Sequence, residues 1–149
     1  METNKSSGYH IFDAEGRILG RVASESAKRL LSGEKVVILN SEKAVITGRK
    51  KQTVKKYFVR VGLTEKANPD HSPYWSKRPD LLVKRVVRGM LPYRKPSGKN
   101  AYRNLRVFMG TPEEFKGKVN AESKSKNLKL MYSGYMTVKE LSSLLGYTV

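Results

Sequence analysis

The sequence predicts an α/β fold with a parallel sheet, and three patterns in its first forty residues support that prediction. Residues 9–12 and 36–39 have the length and composition of strands, and an apolar stripe at helical spacing lies between them. The second run, Val36-Val-Ile-Leu39, is entirely apolar, which is typical of a strand covered on both faces. A strand, a helix and a strand within about thirty residues are the expected pattern of a right-handed βαβ unit.

The helix of this unit begins near Leu19 and ends before Gly33. Its inward positions are rich in Ala and Ser, which predicts close packing on a sheet, and Gly33 stands where a left-handed C-terminal cap is expected. Asn40 and Ser41 follow the second strand, at the edge where open α/β sheets usually place ligands. We favour the simpler interpretation that these two residues form a turn and a cap.

The middle of the chain continues with a short third strand and a strongly basic helix. Residues 44–47 are predicted to form a short strand. Residues 49–61 are predicted to form a helix that Gly62 ends, with Val54, Tyr57, Phe58 and Val61 on one side. Residues 64–76 are predicted to form an ordered polar loop. In that loop Trp75 is either a local anchor or a residue on which a base could stack.

The next stretch is predicted to hold a basic loop rigidly between packed elements. Pro79 suits the first position of a second basic helix. Pro92 ends that helix, because proline lacks an N–H donor and its ring clashes with the preceding turn. Ser97 is then predicted to cap a short helix, and an apolar strand follows at residues 105–109.

The chain as a whole, residues 1–149, is expected to form one domain. Residues 1–8 are expected to be frayed, and residues 111–149 to form a C-terminal extension that wraps the surface and ends in a helix. Thr137 and Glu140 match a capping box at the start of this helix. Gly146 is expected to end it, and the side chains expected to point inward are Val138, Leu141, Leu144 and Leu145.

Charge is the most informative feature of the composition. Residues 43–110 hold eighteen basic side chains and three acidic ones, whereas the rest of the chain adds only +2 to the net charge of +17. No acid occurs between Glu42 and Glu65, or between Asp80 and Glu113. Such a surface repels itself unless an anion covers it, so we expect a polyanionic partner, of which nucleic acid is the commonest.

Phosphate contacts are expected mainly from arginine, because its planar fork donates two parallel hydrogen bonds. The absence of a base-reading helix, a zinc finger and a coiled coil favours folded RNA over sequence-read DNA. Arg78, Arg85, Arg88, Arg94 and Arg103 are predicted to make the principal contacts. The full predicted RNA-binding set is Arg49, Lys50, Lys51, Lys55, Lys56, Arg60, Lys77, Arg78, Lys84, Arg85, Arg88, Tyr93, Arg94, Lys95, Lys99, Tyr102 and Arg103.

The residues argue against catalysis and against small-molecule binding. Zero cysteines exclude disulfides, cysteine zinc sites and thiol catalysis, and His10 and His71 have no carboxylates at ligand spacing. Residues 16–20 and 48–53 lack the pattern of phosphate-binding loops. We therefore predict no enzyme, no metal, no cofactor and no small-molecule substrate. Because no stretch approaches about 20 apolar residues, we also predict no membrane span and a cytoplasmic protein.

Several segments together resemble the large-subunit ribosomal protein thirteen family in its archaeal and eukaryotic form. The resemblance extends from about residue 9 to about residue 116. The segments that carry it are Ile11-Phe-Asp-Ala14 with Gly16, Leu19-Gly-Arg-Val-Ala23, Val36-Val-Ile-Leu-Asn40, Val45-Ile-Thr-Gly48, Val86-Val-Arg-Gly-Met-Leu-Pro92 and Leu105-Arg-Val-Phe-Met-Gly110.

The resemblance implies a three-layer α/β/α domain on a four-stranded, mainly parallel sheet. It also implies a structural constituent of the cytoplasmic large ribosomal subunit that binds and helps fold large-subunit rRNA, beside neighbouring large-subunit proteins. Residues 88–92, the loop after them and the basic helix after Gly48 would lie on the rRNA. Two alternatives stay open: a free RNA-binding translational regulator that uses the same surface, and a nucleotide-dependent enzyme with its site at residues 40–48.

Overall fold

Three parallel strands form the central sheet of the computed structural model, which describes residues 8–117 and 134–148. The strand order is β1–β2–β4, with β2 in the middle. In chain order the elements are β1 (Tyr9–Asp13), α1 (Leu19–Leu31), β2 (Lys35–Leu39), β3 (Val45–Thr47), α2 (Lys50–Val61), α3 (Pro79–Met90), α4 (Pro96–Arg103), β4 (Leu105–Val107), β5 (Tyr135–Thr137) and α5 (Val138–Leu144).

The predicted βαβ unit is confirmed. β1 and β2 are parallel neighbours, with Tyr9 opposite Lys35 and Asp13 opposite Leu39. Val36 to Leu39 are completely buried, as the unbroken apolar run predicted. Helix α1 ends as expected, because Gly33 has a φ of 86° and supplies the left-handed conformation after the last turn.

The two faces of the sheet are covered by different kinds of structure. Phe12, Ile38 and Leu105 share one hydrophobic cluster with the buried side chains of α1 and α3, which also pack against each other. Because successive strand residues point to opposite faces, Ile11, Val37 and Leu39 lie on the other face. Phe115, in a single turn of 3₁₀ helix, closes that second cluster.

The α/β class and the mainly parallel sheet are confirmed, but β3 does not extend the sheet as a regular parallel strand. It pairs antiparallel with β5 in a separate two-stranded sheet. The reason is the backbone geometry after β2, where Asn40 has a left-handed φ of 51° and a 3₁₀ turn follows. The Val45 N–H then donates to the Arg17 carbonyl at 2.9 Å, and a single parallel bridge joins Ile18 to Val45.

Two detailed predictions about the helices were wrong. Ser97 does not cap α4, because Pro96 already occupies the first turn with its preset φ and Lys95 takes the cap position. Leu144 does not point inward. The buried stripe of α5 runs through residues 138, 141, 142 and 145, so Leu144 lies to one side of it and is exposed.

The predicted capping box at the start of α5 is half formed. The Thr137 hydroxyl accepts a hydrogen bond from the Glu140 N–H at 3.1 Å. The Glu140 carboxylate lies 3.4 Å from the Lys50 ammonium, and so links α5 to the start of α2. Gly146 ends the helix with a φ of 86°, as predicted.

The segments expected to be frayed or to wrap the surface fall mostly on residues 1–7 and 118–133, outside the described residues. Across the described ranges, no helix combines the length and the apolar character that a membrane crossing requires.

Candidate nucleic-acid interface

Helix α3 buries apolar residues on one side and carries cations on the other, although Leu81 and Met90 are partly exposed. Leu82, Val83 and Val87 are buried against the core, at the spacing that places them on one side of the helix. Lys84 and Arg88 are four residues apart and share the opposite side with Arg85. The helix is therefore anchored by one side and presents three cations on the other.

Trp75 joins the basic residues of α2 to those of α3. Its indole packs against the core cluster, and its ring stands edge-on to Tyr57 at 6.4 Å. The guanidinium carbon of Arg85 lies 4.2 Å from the indole centroid, and that of Arg60 lies 4.9 Å from it. Both distances are within the range of cation–π attraction, so one aromatic side chain holds two arginines from different helices.

A second aromatic pair holds the other two cations of α3. Tyr93, in the loop after α3, packs edge-on against Tyr102 of α4, with ring centroids 5.4 Å apart. The Arg88 guanidinium carbon lies 3.9 Å from the Tyr93 centroid, and the Lys84 ammonium lies 5.2 Å from that of Tyr102. We call Arg60, Trp75, Lys84, Arg85, Arg88, Tyr93 and Tyr102 the cation–aromatic face.

The Tyr102 hydroxyl is a hydrogen-bond donor at neutral pH. Burial raises the pKa of Tyr102 above the usual value for a phenol, although the charges of Arg88 and Arg85 act in the opposite direction. The phenol is therefore protonated under physiological conditions. It can donate one hydrogen bond to a phosphate oxygen while its ring stays packed against Tyr93.

Gly98 brings the short helix α4 against the end of α3. A Cβ atom at this position would lie 2.2 Å from the Pro92 carbonyl oxygen and 2.9 Å from the Tyr93 nitrogen. Only glycine permits so close an approach of two backbones. This contact sets the position of Tyr102 relative to Tyr93.

Most predicted cations have no carboxylate to neutralise them. Arg78 makes a bidentate pair with Asp80, at 2.8 and 3.1 Å, and Lys50 lies 3.4 Å from Glu140. Among the described residues, no other basic side chain of the predicted set has a carboxylate oxygen within 4.0 Å of its nitrogen atoms. The members exposed in the loop after α3 and along α4 are Arg94, Lys95, Lys99 and Arg103.

The helix dipoles add to this positive potential. Helices normally carry acidic residues in the first turn, where the backbone N–H groups leave partial positive charge. α2 and α4 have none there, and α2 begins instead with Lys50 and Lys51. These helix ends therefore reinforce the field of the surrounding cations instead of balancing it.

Several members of the predicted set line two hollows beside the start of α2, away from the aromatic rings described above. Arg49, Lys50 and Lys51 line a hollow at the start of α2, together with Tyr135 and Glu140. Lys55 lines a neighbouring groove and Lys56 is exposed on the same helix. Lys77 is exposed before α3, with its ammonium close to Gly146. The structure thus separates the start of α2 from the cation–aromatic face.

Residues 40–48, the alternative nucleotide site, hold the strand ends together. The Asn40 amide donates to the Asp13 carboxylate at 2.9 Å, and the Gly110 N–H donates to the Glu42 carboxylate at 3.0 Å. These contacts tie the end of β1 and the residues after β4 to the turn after β2. Asn40 and Ser41 form the expected turn, but Asn40 makes no side-chain cap hydrogen bond at the start of the 3₁₀ turn.

The cation–aromatic face makes Trp75 a candidate for mutation, because it both packs on the core and orders two arginines. Trp75→Ala is expected to lower the free energy of unfolding by about 3 kcal/mol, the lower end of the usual cost of truncating Trp, because Trp75 is only partly buried. Urea denaturation measures this change. Tyr74→Ala is the matched control, since Tyr74 is 80% exposed, and it is expected to change stability by less than about 0.5 kcal/mol. Equal losses in both variants would contradict the anchoring role.

Comparison with known proteins places the chain in a family. The family model described as Ribosomal protein L13 matches residues 7–114. Large ribosomal subunit protein uL13 of Archaeoglobus fulgidus is 41% identical over 141 residues, which cover 93% of this chain and 88% of that protein. The proteins of the same name from Methanosphaera stadtmanae and Methanocaldococcus jannaschii are 43% and 42% identical over 137 residues, which cover 91% of this chain and 96% of each relative.

These matches confirm the resemblance that the sequence segments indicated, and the similarity to the three relatives covers more than nine-tenths of the chain. The chain belongs to the ribosomal protein L13 family.

Proposed function

We propose that this protein is a structural constituent of the large ribosomal subunit, not an enzyme, and that it binds and helps fold large-subunit rRNA. The observation that carries the proposal is the cation–aromatic face. On it arginines and a lysine from two helices are stacked on aromatic rings and lack neutralising carboxylates. The names of the relatives support the cellular setting, since each is called a large ribosomal subunit protein.

Stacking on aromatic rings prepares the arginines for phosphate. A guanidinium that lies over a ring keeps its N–H groups at the edge, where they can donate two parallel hydrogen bonds to phosphate oxygens. Arg85 and Arg88 are held in this way before any RNA arrives. Less side-chain entropy is then lost on binding than with freely rotating cations, which strengthens the contact.

The proposed contacts divide into a centre and a margin. Arg60, Lys84, Arg85 and Arg88 form the centre, and the exposed cations of the loop and α4 extend it along the RNA backbone. Arg78 and Lys50 belong to the margin, because each already has a carboxylate partner. The other marginal contacts are Arg49, Lys51, Lys55, Lys56 and Lys77. With large-subunit rRNA as its partner, the protein would lie in cytoplasmic ribosomes, beside neighbouring large-subunit proteins.

We also infer that residues 1–149 act as one rRNA-binding domain. We infer further that this domain has the four-stranded, mainly parallel sheet and the three α/β/α layers that the family resemblance implies. The bridge between Ile18 and Val45 supports β3 as a fourth strand beside the parallel sheet. A third layer would cover the sheet face on which Phe115 lies.

Sedimentation of a cell extract through a sucrose gradient tests the proposed function. The protein, detected by an antibody, is expected to follow the large subunit and to remain there at moderate salt. A pool that sediments at the top of the gradient as free protein would contradict the proposal and favour the free RNA-binding regulator. Treating the extract with ribonuclease is the control, since it should release the protein from the large-subunit fraction.

A further inference from the structure

Helix α2 carries apolar side chains on its outer side as well as its inner side. Tyr57 is buried, and Val54 and Val61 pack against the core, so the inner side is accounted for. Phe58 and Val59 are nevertheless 66% and 54% exposed. Single exposed apolar residues are ordinary, but adjacent ones on a helix that is otherwise basic call for an explanation.

Leu144 of α5 lies beside these side chains and lines a groove together with them. It is 61% exposed, and with Val54, Phe58 and Val59 it forms an apolar floor between the two helices. The rim of the groove on the α2 side consists of Lys50, Lys51 and Lys55. The Lys50–Glu140 pair holds the two helices together at one end. We call this feature the α2–α5 groove.

We propose that the α2–α5 groove binds a segment of a neighbouring large-subunit protein, one that carries apolar side chains beside carboxylates. This inference rests on the proposed function, because it places the protein inside the subunit. The apolar floor requires an apolar occupant to exclude water from it. Lys51 and Lys55 have no carboxylate partner among the described residues, so an acidic flank on the occupant would neutralise them.

The composition of the floor favours protein over RNA as the occupant. Three of the four floor residues are aliphatic, and an aliphatic side chain offers a base neither an aromatic surface for stacking nor a hydrogen bond. The cation–aromatic face shows the contrast, since every ring there has a cation over it. On this inference Lys50, Lys51 and Lys55 contact the acidic protein segment, so these three lysines are withdrawn from the marginal rRNA contacts proposed above.

Site-specific crosslinking in assembled subunits tests this inference. Phe58 is replaced by the photoreactive p-benzoylphenylalanine, the variant is expressed in the cells that make this protein, and large subunits are purified and irradiated. We expect a crosslink to one protein of the same subunit, at a peptide that contains apolar residues and carboxylates. Lys51→Glu/Lys55→Glu in the same background is expected to reduce the yield at least tenfold. Replacing Tyr74, exposed outside the groove, is the matched control and should not give this crosslink.

The possible outcomes separate the two proposals. A crosslink from position 58 to rRNA, or none at all in subunits that contain the variant, overturns the groove assignment and leaves the ribosomal function intact. A yield that is unaffected by the double charge reversal overturns the requirement for an acidic partner. Absence of the variant and of the wild-type protein from large subunits would overturn the proposed function, and the groove assignment with it.

Discussion

Gly98→Ala is expected to lower the free energy of unfolding by about 3 kcal/mol, the upper end of the usual cost of overpacking. The added Cβ would meet the Pro92 carbonyl oxygen at 2.2 Å and its carbonyl carbon at 2.4 Å. Both are backbone atoms of the segment that ends α3, so no side chain can rotate away to relieve the clash. Helix α4 must shift, and Tyr102 must move with it away from Tyr93.

Chemical denaturation measures this change, and Gly89→Ala is its control. Gly89 also lies in a helix, but a Cβ atom there has open space around it. Because alanine is the better helix former, this variant is expected to be as stable as wild type or more stable, by up to about 1 kcal/mol. If both variants lost the same stability, the loss would not be specific to position 98, and the close contact of Gly98 with Pro92 would not be its cause.

Reversing three charges of the proposed interface is expected to have the largest effect on RNA binding. Arg85→Glu/Arg88→Glu/Arg94→Glu should weaken binding to a large-subunit rRNA fragment about a thousandfold or more, since each charged hydrogen bond lost is worth at least about 1.5 kcal/mol. Filter binding or fluorescence anisotropy at fixed salt measures the change. A thermal melt of the same variant checks that it is still folded, because Arg85 and Arg88 also lie over the rings of Trp75 and Tyr93.

The control reverses three cations on the opposite side of the sheet. Lys35 and Arg106 both lie over the ring of Tyr9, which packs with Phe115, and Lys116 follows that phenylalanine. Lys35→Glu/Arg106→Glu/Lys116→Glu lowers the net charge of +17 by the same six units. We expect it to weaken binding less than about tenfold, through long-range attraction alone. Equal losses in the two variants would show that only total charge matters.

Much of the scaffold could be predicted because its signals are local. The apolar run at residues 36–39 and the glycine at position 33 defined β2 and the end of α1 without knowledge of the rest of the chain. The partner of β3 could not be predicted in this way, because it depends on where the turn at Asn40 directs the backbone. The apolar side chain of Leu144 predicts an inward position, but the helical period places Ser142 in the buried stripe and Leu144 beside it.

The composition of the candidate interface was predictable, but its construction was not. The imbalance of charge between residues 43 and 110 indicated the cations themselves. Residues 60, 75 and 85 come from three separate segments, and no spacing in the sequence indicates that one indole holds two guanidinium groups. The approach of Gly98 to Pro92 is likewise a property of the packed chain. The helical spacing predicts Phe58 on the same apolar side of α2 as Tyr57, but Phe58 is 66% exposed because the core covers only the side that Tyr57 occupies.

The salt dependence of rRNA binding tests most directly whether the unpaired cations bind phosphate. If the wild-type protein makes about six to ten phosphate contacts, its affinity should fall by about 10³ to 10⁵ between about 50 and 200 mM salt. For Arg85→Glu/Arg88→Glu/Arg94→Glu we predict a slope of log affinity against log salt that is smaller by about 2 to 3, since each lost contact removes about 0.7 to 0.9. The control variant Lys35→Glu/Arg106→Glu/Lys116→Glu should keep the wild-type slope. A slope that is the same in all three proteins would contradict the proposal that phosphate lies against the cation–aromatic face.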